Sequence, residues 1–265
     1  MNRGLLRTLC VAILALCTPA AALAQRELHW DNIEVAAHLD EAGNLRVDET
    51  QTIVFTGEWN GGERAFNIRP RQKISLIGVY RSRDGGWQEL AGDASLDDVD
   101  DYAWTDAKTL RWRSRQPADP PFANTPIRYR LRYVLSGILV KDDNSYLLDH
   151  DFAFPDRAGT IDRFTLRLTL DPAWQPLADV RDVYTASGIS PGRSFVLKVP
   201  LRYAGVLVPA ALDLTPPREI VFAVSVILGV TGLAVLWFFV REQSNGRFAP
   251  VTATSLTNRG FVSTS

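Results

Sequence analysis

The sequence predicts an all-β protein, an antiparallel β-sandwich in an exported domain, followed by one C-terminal transmembrane helix and preceded by an N-terminal signal peptide helix. Three observations carry that prediction. The central segments alternate apolar and polar residues with period two, the pattern of strands buried on one face. The run from Ile220 to Val240 holds no charge, amide or proline and lies between Arg218-Glu219 and Arg241-Glu242. The first two dozen residues pair a basic start with an apolar stretch and a small-x-small end.

Taken in chain order, the leader comes first. Arg3 and Arg7 precede the apolar stretch from Leu9 to Leu16, and Ala22-Leu23-Ala24 supplies the site that a signal peptidase accepts, so residues 1–24 read as a secretory signal. Cys17 is not the cysteine of a lipoprotein signal, because bulky Leu16 stands where a small residue is needed. Both cysteines, Cys10 and Cys17, fall within this leader, so the segment behind it has no disulfide to draw on and must be held by its core. The chain's 29 basic residues include Arg3 and Arg7, which leaves 27 against 30 acids after cleavage. That slight negative balance argues against nucleic acid as a partner.

Residues 25–201 read as the sandwich. Ile33, Val35, Ala37 and Leu39 face one way, while Asn32, Glu34, His38 and Asp40 face the other, and Glu41-Ala42-Gly43-Asn44 makes the turn. Further strands are expected at Leu45 to Phe55, Ile74 to Tyr80, Thr109 to Arg115, Ile127 to Leu135, Ser145 to Leu148, Phe164 to Leu170 and Phe195 to Val199. Turn signals such as Asp84-Gly85-Gly86 and Pro191-Gly192 separate them. No segment shows a capped 3.6-residue apolar period, and no βαβ alternation is present, which leaves the antiparallel sandwich. Two long loops are expected, an acidic one from Ala91 to Trp104 and a proline-rich one from Gln116 to Pro126. Residues 202–217, ending in Pro216-Pro217, read as a stiff juxtamembrane stalk.

About 20 apolar residues at about 1.5 Å each match the roughly 30 Å hydrocarbon core of a bilayer, so residues 218–241 read as a single span. Arginine greatly outnumbers lysine (only Lys73, Lys108, Lys141 and Lys198), which reads as a bacterial coding bias, so behind a cleaved signal the β domain is expected outside a bacterial plasma membrane and residues 242–265 inside as a disordered tail. The lipid bilayer is then the one partner implied by the span itself.

Six arginines stand out. Arg111, Arg113 and Arg115 alternate with Leu110, Trp112 and Ser114, and Arg128, Arg130 and Arg132 alternate with Tyr129 and Leu131. If the two strands pair, six guanidinium groups crowd one face, which anions must compensate: anionic lipid, an anionic envelope polymer or an acidic protein partner. Internal acids, or a placement of the rows on separate strands, relieve the same crowding. Glu49 is the second oddity: strict alternation puts it on the core face with Leu45, Val47, Ile53 and Phe55, where it needs a partner such as Arg64 or Arg69.

Other chemical signatures are weak. Asp149-His150-Asp151 alternates across a strand, so its three side chains reach one metal only if the backbone bends. The acids Asp97, Asp98, Asp100 and Asp101 lack calcium-loop spacing and read as a solvated loop. No cofactor motif, metal motif or nucleophile motif is present, so no cofactor and no catalytic residue is assigned. Three functional readings stay open: a tethered binding or interaction module, a cell-envelope carbohydrate-active hydrolase using acids such as Glu49, Asp149 or Asp151, and a subunit whose span meets others through Ser225, Gly229 and Gly232.

The stretch Gly43-Asn44-Leu45-Arg46-Val47-Asp48-Glu49-Thr50-Gln51-Thr52-Ile53-Val54-Phe55 resembles the opening signature of the YciQ-like bacterial predicted membrane proteins. Ile127-Arg128-Tyr129-Arg130-Leu131-Arg132-Tyr133 is similar to a later strand of that family, and Ser145 to Asp149 with Asp162 to Leu168 to a further block. The resemblance implies an exported β domain of unknown function anchored by a span, and it transfers no catalytic residue. Members of the family usually continue into further spans, so a short or truncated member is implied.

Overall fold

The computed structural model describes residues 26–92, 95–142, 144–213 and 218–246. The expected signal peptide, Pro216-Pro217 and residues 247–265 of the expected tail lie outside them. The described residues up to Asp213 form one compact unit, and those from Arg218 belong to a second.

The first strands set the frame. β1 (Glu27–Leu39) and β2 (Leu45–Gly57) pair antiparallel, with Val35 opposite Glu49. Their connection closes with Asp40 N donating to Asn44 O and Gly43 N to Asp40 O, and it needs glycine at position 43, where φ is +83°. Ile33, Val35, Ala37 and Leu39 are buried and Glu34, Ala36 and His38 exposed, as the alternation predicts. β4 (Lys73–Arg83) and β5 (Gly86–Glu89) form a hairpin whose turn residues Asp84 and Gly85 both have positive φ, the geometry that matches strand twist.

Three sheets result. β9 (Phe122–Ser136), β12 (Ile161–Leu170) and β14 (Val183–Ile189) complete a seven-stranded sheet in the order β14-β12-β1-β2-β9-β4-β5. β3 (Gly61–Ala65), β8 (Thr109–Arg113), β7 (Asp101–Trp104) and β6 (Ala91–Gly92) make a four-stranded sheet in that order. β13 (Trp174–Pro176), β15 (Val196–Tyr203), β11 (Ser145–Asp151), β10 (Leu139–Asp142) and β16 (Ala211–Asp213) make a five-stranded one. One continuous core joins them, with Trp30, Leu45, Phe55, Trp112, Tyr129, Phe164 and Leu201 among its members. Each large apolar side chain removed from water there contributes about 1.5–3 kcal/mol before chain entropy is counted.

The antiparallel expectation needs correction, because the sheets are mixed. β1 pairs parallel with β12, β10 with β16, and β6 with β7. Period-two alternation reports which face a side chain takes and is blind to strand direction. Much of the stretch expected as a stalk at residues 202–217 is instead part of the β unit: β15 runs to Tyr203, and β16 hydrogen-bonds to β10, with Leu212 buried. Tyr203 packs on Trp174 at 4.7 Å, so this segment is held by aromatic contacts that its own composition does not disclose.

The second unit contains α1 (Arg218–Asn245), a helix long and apolar enough to cross a membrane. Its apolar side chains are exposed on every side, Phe222 at 72% and Trp237 at 62% for example, which sets it apart from a core helix.

Candidate binding cleft

Glu49 lies fully buried on β2, and Arg64 reaches it from β3. Arg64 donates from Nε to Glu49 Oε1 at 2.9 Å and from Nη2 to Oε2 at 3.0 Å. Tyr133 Oη donates to Oε2 at 2.8 Å, and Gln51, itself accepting from Trp30 Nε1, donates to Oε1. Arg64 stacks between Phe154 at 4.0 Å and Phe66 at 4.8 Å. Burial works against the Arg64 charge, but Glu49 and Tyr133 more than offset it and its pKa is raised. Burial and the Glu49 charge push the Tyr133 hydroxyl well above its usual range, so it stays a donor. Every oxygen of Glu49 is occupied, which makes the carboxylate a structural centre. Arg69, the other partner that the sequence suggested, binds Asp149 at 2.7 Å.

The six predicted arginines do not share one sheet face. Arg111 and Arg113 lie on β8 and Arg115 just beyond it, whereas Arg128, Arg130 and Arg132 lie on β9 in a different sheet. β8 pairs with β3 and β7, and β9 with β2 and β4, so the condition for a six-arginine platform is not met. The β9 row is answered by acids: Glu34 lies 3.7 Å from Arg128, and Asp48 2.7 Å from Arg130 and 3.7 Å from Arg132. Arg128 and Arg130 also lie over the Trp87 ring. Arg115 is buried and donates to the carbonyls of Trp59 and Asp119.

Arg111 and Arg113 instead line a cleft of about 410 Å³ beside β3. Four unusual features meet there. The first is glycine: a Cβ at Gly61 would sit 1.8 Å from Trp112 O, and one at Gly62 2.5 Å from Trp112 Cζ2, so neither position accepts a side chain. The second is a buried donor, Arg157 Nε, which makes no hydrogen bond among the described residues and belongs to a side chain that lines this cleft. The third is backbone conformation: Leu96 and Phe154, two bulky lining residues, have φ of 55° and 33°, a region that such residues rarely adopt.

Charge is the fourth. The cleft holds Arg26, Arg111, Arg113 and Arg157 against Glu63 and Asp156. Arg111 is paired with Glu63 at 2.9 Å. Arg26 rests on the Trp59 ring at 4.4 Å. Arg113 donates to Leu96 O and Arg115 O, and the Nη atoms of Arg157 reach only carbonyls, those of Ala153, Phe154, Ile189, Ser190 and Arg193. Burial pulls the Arg157 pKa below its ordinary value. Among the described residues, Arg26, Arg113 and Arg157 form no ion pair with a carboxylate, and a ligand with an anionic group can supply one.

The remaining candidates are absorbed by the fold. Asp149 takes Arg69 and Lys198, Asp151 accepts the backbone N–H groups of Ala153 and Phe195, and His150 packs edge-on to Phe152. Burial, and then Arg64, lower the His150 pKa to about 4. Among the described residues no group of three metal-ligating side chains converges. In the acidic loop, Asp100 binds Arg81 and Arg83, and Asp101 receives the N–H of Asp98. Sequence reasoning missed Trp59, Arg157 and the Gly61-Gly62 doublet. The doublet was the available signal, since adjacent glycines inside a strand mark a close backbone approach.

No protein-family model matches the chain, and no curated protein matches it. Among solved structures, the chain is similar to a two-domain M1 zinc metallopeptidase bound to L-tryptophan (TM-score 0.37, 13% identity, 68% of this chain and 44% of that one). It is also similar to the M1 zinc metallopeptidase from Deinococcus radiodurans, at TM-score 0.33 and 12% identity over 72% of this chain and 42% of that one. The chain thus spans less than half the length of these proteins, and superposition at this level carries no argument about chemistry.

Proposed function

We propose that this protein is a membrane-tethered binding module of the bacterial envelope, its β unit outside the plasma membrane and α1 the tether, and that the cleft beside β3 is where it takes an anionic ligand. The tether is supported by the exposed apolar helix, and the outward orientation by the leader-like first 24 residues and the resemblance to YciQ-like proteins. One observation carries the assignment of the cleft. Among the described residues, Arg26, Arg113 and Arg157, all around a single cavity, form no ion pair with a carboxylate, and Arg157 Nε makes no hydrogen bond. An anionic group reaching these guanidinium groups would make the charge-assisted contacts that they lack. The acids named for a hydrolase, Glu49, Asp149 and Asp151, are each engaged in the contacts that hold the strands together.

The full chain in neutral-lipid nanodiscs, titrated with polyglutamate and with polyphosphate, tests this reading through the emission of Trp59 and Trp112. Saturable quenching or enhancement that weakens with salt, and weakens further in Arg26→Gln and Arg113→Gln variants of unchanged stability, is the expected result. Failure of both anions to bind, or binding indifferent to those arginines, overturns it.

A further inference from the structure

The cleft runs along an unfinished sheet. Among the described residues, β3 ends the four-stranded sheet and pairs only with β8. The pairing register fixes which backbone groups are spent. Phe66 N donates to Lys108 O, and Asn60 O accepts from Ser114 N, so the even-numbered residues of β3 turn their N–H and C=O toward β8. In an antiparallel ladder these groups alternate sides, so those of Glu63, and the N–H of Ala65, point to the open edge. The carbonyl of Ala65 is taken by Arg64 Nη1. A donor, an acceptor and a second donor are thereby left in sequence along the edge of β3 away from β8.

The groove is long enough for a strand. A second cavity of about 330 Å³ shares Glu63, Ala65, Arg111, Phe154 and Asp156 with the first and continues to Asn67. From Gly61 to Asn67 an extended chain covers about 20 Å. Edge strands are commonly guarded by lysine, proline, a bulge or an inward-pointing charge; β3 carries no lysine or proline along Gly61-Gly62-Glu63-Arg64-Ala65, and its inward charge, Arg64, is spent on Glu49. Its one outward charge, Glu63, is neutralised by Arg111. The opposite wall, from Phe154 to Ala158, supplies an aromatic ring and the Arg157 side chain.

We infer that the ligand is an extended peptide segment of a partner protein, added as a strand to the open edge of β3, with an acidic side chain directed to the arginines around the cleft. This rests on the assignment of the cleft proposed above and specifies its ligand class. A polysaccharide or polyphosphate meets the arginines equally well, but neither supplies the alternating amide donor and acceptor that the Glu63 backbone demands. A peptide residue opposite Glu63 exchanges two hydrogen bonds with it, and the residue two positions before accepts from Ala65 N–H. Main-chain pairing gives the affinity and the acidic side chain the selection.

The test uses the full chain in neutral-lipid nanodiscs and synthetic peptides of about seven residues with one glutamate moved through every position. The best binder is then remade with single backbone N-methyl groups. The expected result is a loss of about tenfold or more for methylation at alternate residues and little change at the others, the period of a strand paired on one side. Hydrogen exchange at the Glu63 and Ala65 amides slows on binding, while Glu63→Pro, which removes the outward amide and leaves the β8 ladder intact, loses binding that Glu63→Gln keeps. Equal tolerance of methylation at every position, or unprotected Glu63 and Ala65 amides in a bound peptide complex, overturns strand addition even if Glu63→Pro fails to fold. Polyphosphate or oligogalacturonate binding that depends on Arg113, with no peptide binding, overturns it too and leaves the cleft assignment standing. Absence of binding by peptides and non-peptide anions alike overturns both.

Discussion

Arg64 and Glu49 form a bidentate ion pair with neither side chain more than 1% exposed, joining a strand of the four-stranded sheet to the centre of the seven-stranded one. Removing one partner strands the other charge in the interior. Arg64→Met or Glu49→Gln is therefore expected to destabilise the β unit by about 3–5 kcal/mol in denaturant titration, while the double variant Glu49→Met with Arg64→Met recovers a large part of that loss. A double variant no better than the worse single one would mean that the pair contributes more than it costs.

Tyr133 tests the same centre more gently. Its hydroxyl lies 2.8 Å from Glu49 Oε2, and Phe fills the same volume without it. Tyr133→Phe is expected to lower stability by about 1–3 kcal/mol, since the acceptor is charged and buried, and to leave strand content unchanged by circular dichroism.

The exposed acid on the other face of β2 sets the contrast. Asp48 reaches both Arg130 and Arg132, yet all three side chains are about a third or more exposed. Asp48→Asn is expected to change stability by no more than about 0.5–1 kcal/mol, an effect that high salt erases. A loss as large as that of Glu49→Gln would contradict the assignment of this ladder to a solvated surface.

His150 ties stability to pH. Its folded pKa of about 4 lies below the ordinary 6.5, so between these values the unfolded chain binds a proton that the folded chain refuses. The corresponding stability is fully present above about pH 6.5 and is lost as pH falls to about 4, at most roughly 3 kcal/mol. Denaturant midpoints measured across this window are expected to fall, and His150→Leu is expected to flatten the profile. An unchanged slope would place the proton uptake elsewhere.

Gly62 gives the last prediction. A methyl group there meets the Trp112 ring at 2.5 Å, so Gly62→Ala is expected to cost about 1–3 kcal/mol and to shift tryptophan emission. Wild-type stability and spectrum would show that Trp112 moves freely.

Face was legible in the sequence and pairing was not. Parity alone put Glu49 on the core side of β2 and named Arg64 among its partners, because a buried carboxylate so placed must find a cation. The same parity placed each arginine row on one side of its strand. It did not show that Arg111 lies opposite Glu63 on β3 while Arg132 lies opposite Asp48 on β2, since pairing depends on where the residues between β8 and β9 carry the chain. β14 was missed for another reason. As an edge strand it buries only Ile189 fully, with Tyr184 and Ala186 half-buried against the core, so Val183-Tyr184-Thr185-Ala186-Ser187-Gly188-Ile189 leaves too weak an apolar stripe to stand out. The cleft was hidden because its members, from Arg26 to Arg157, meet only after the sheets have assembled.

The parallel pairing of β1 with β12 has a consequence for the order of events as the chain emerges. β2 follows β1 across a short turn, but the partner on the other side of β1, Ile161–Leu170, lies more than a hundred residues later. Until then a 13-residue strand keeps one row of backbone groups unsatisfied. Non-local closure of this kind folds slowly and leaves partly assembled chains open to mispairing. The interval between the synthesis of Leu39 and that of Leu170 is thus the period in which this protein most needs to be shielded from other strands.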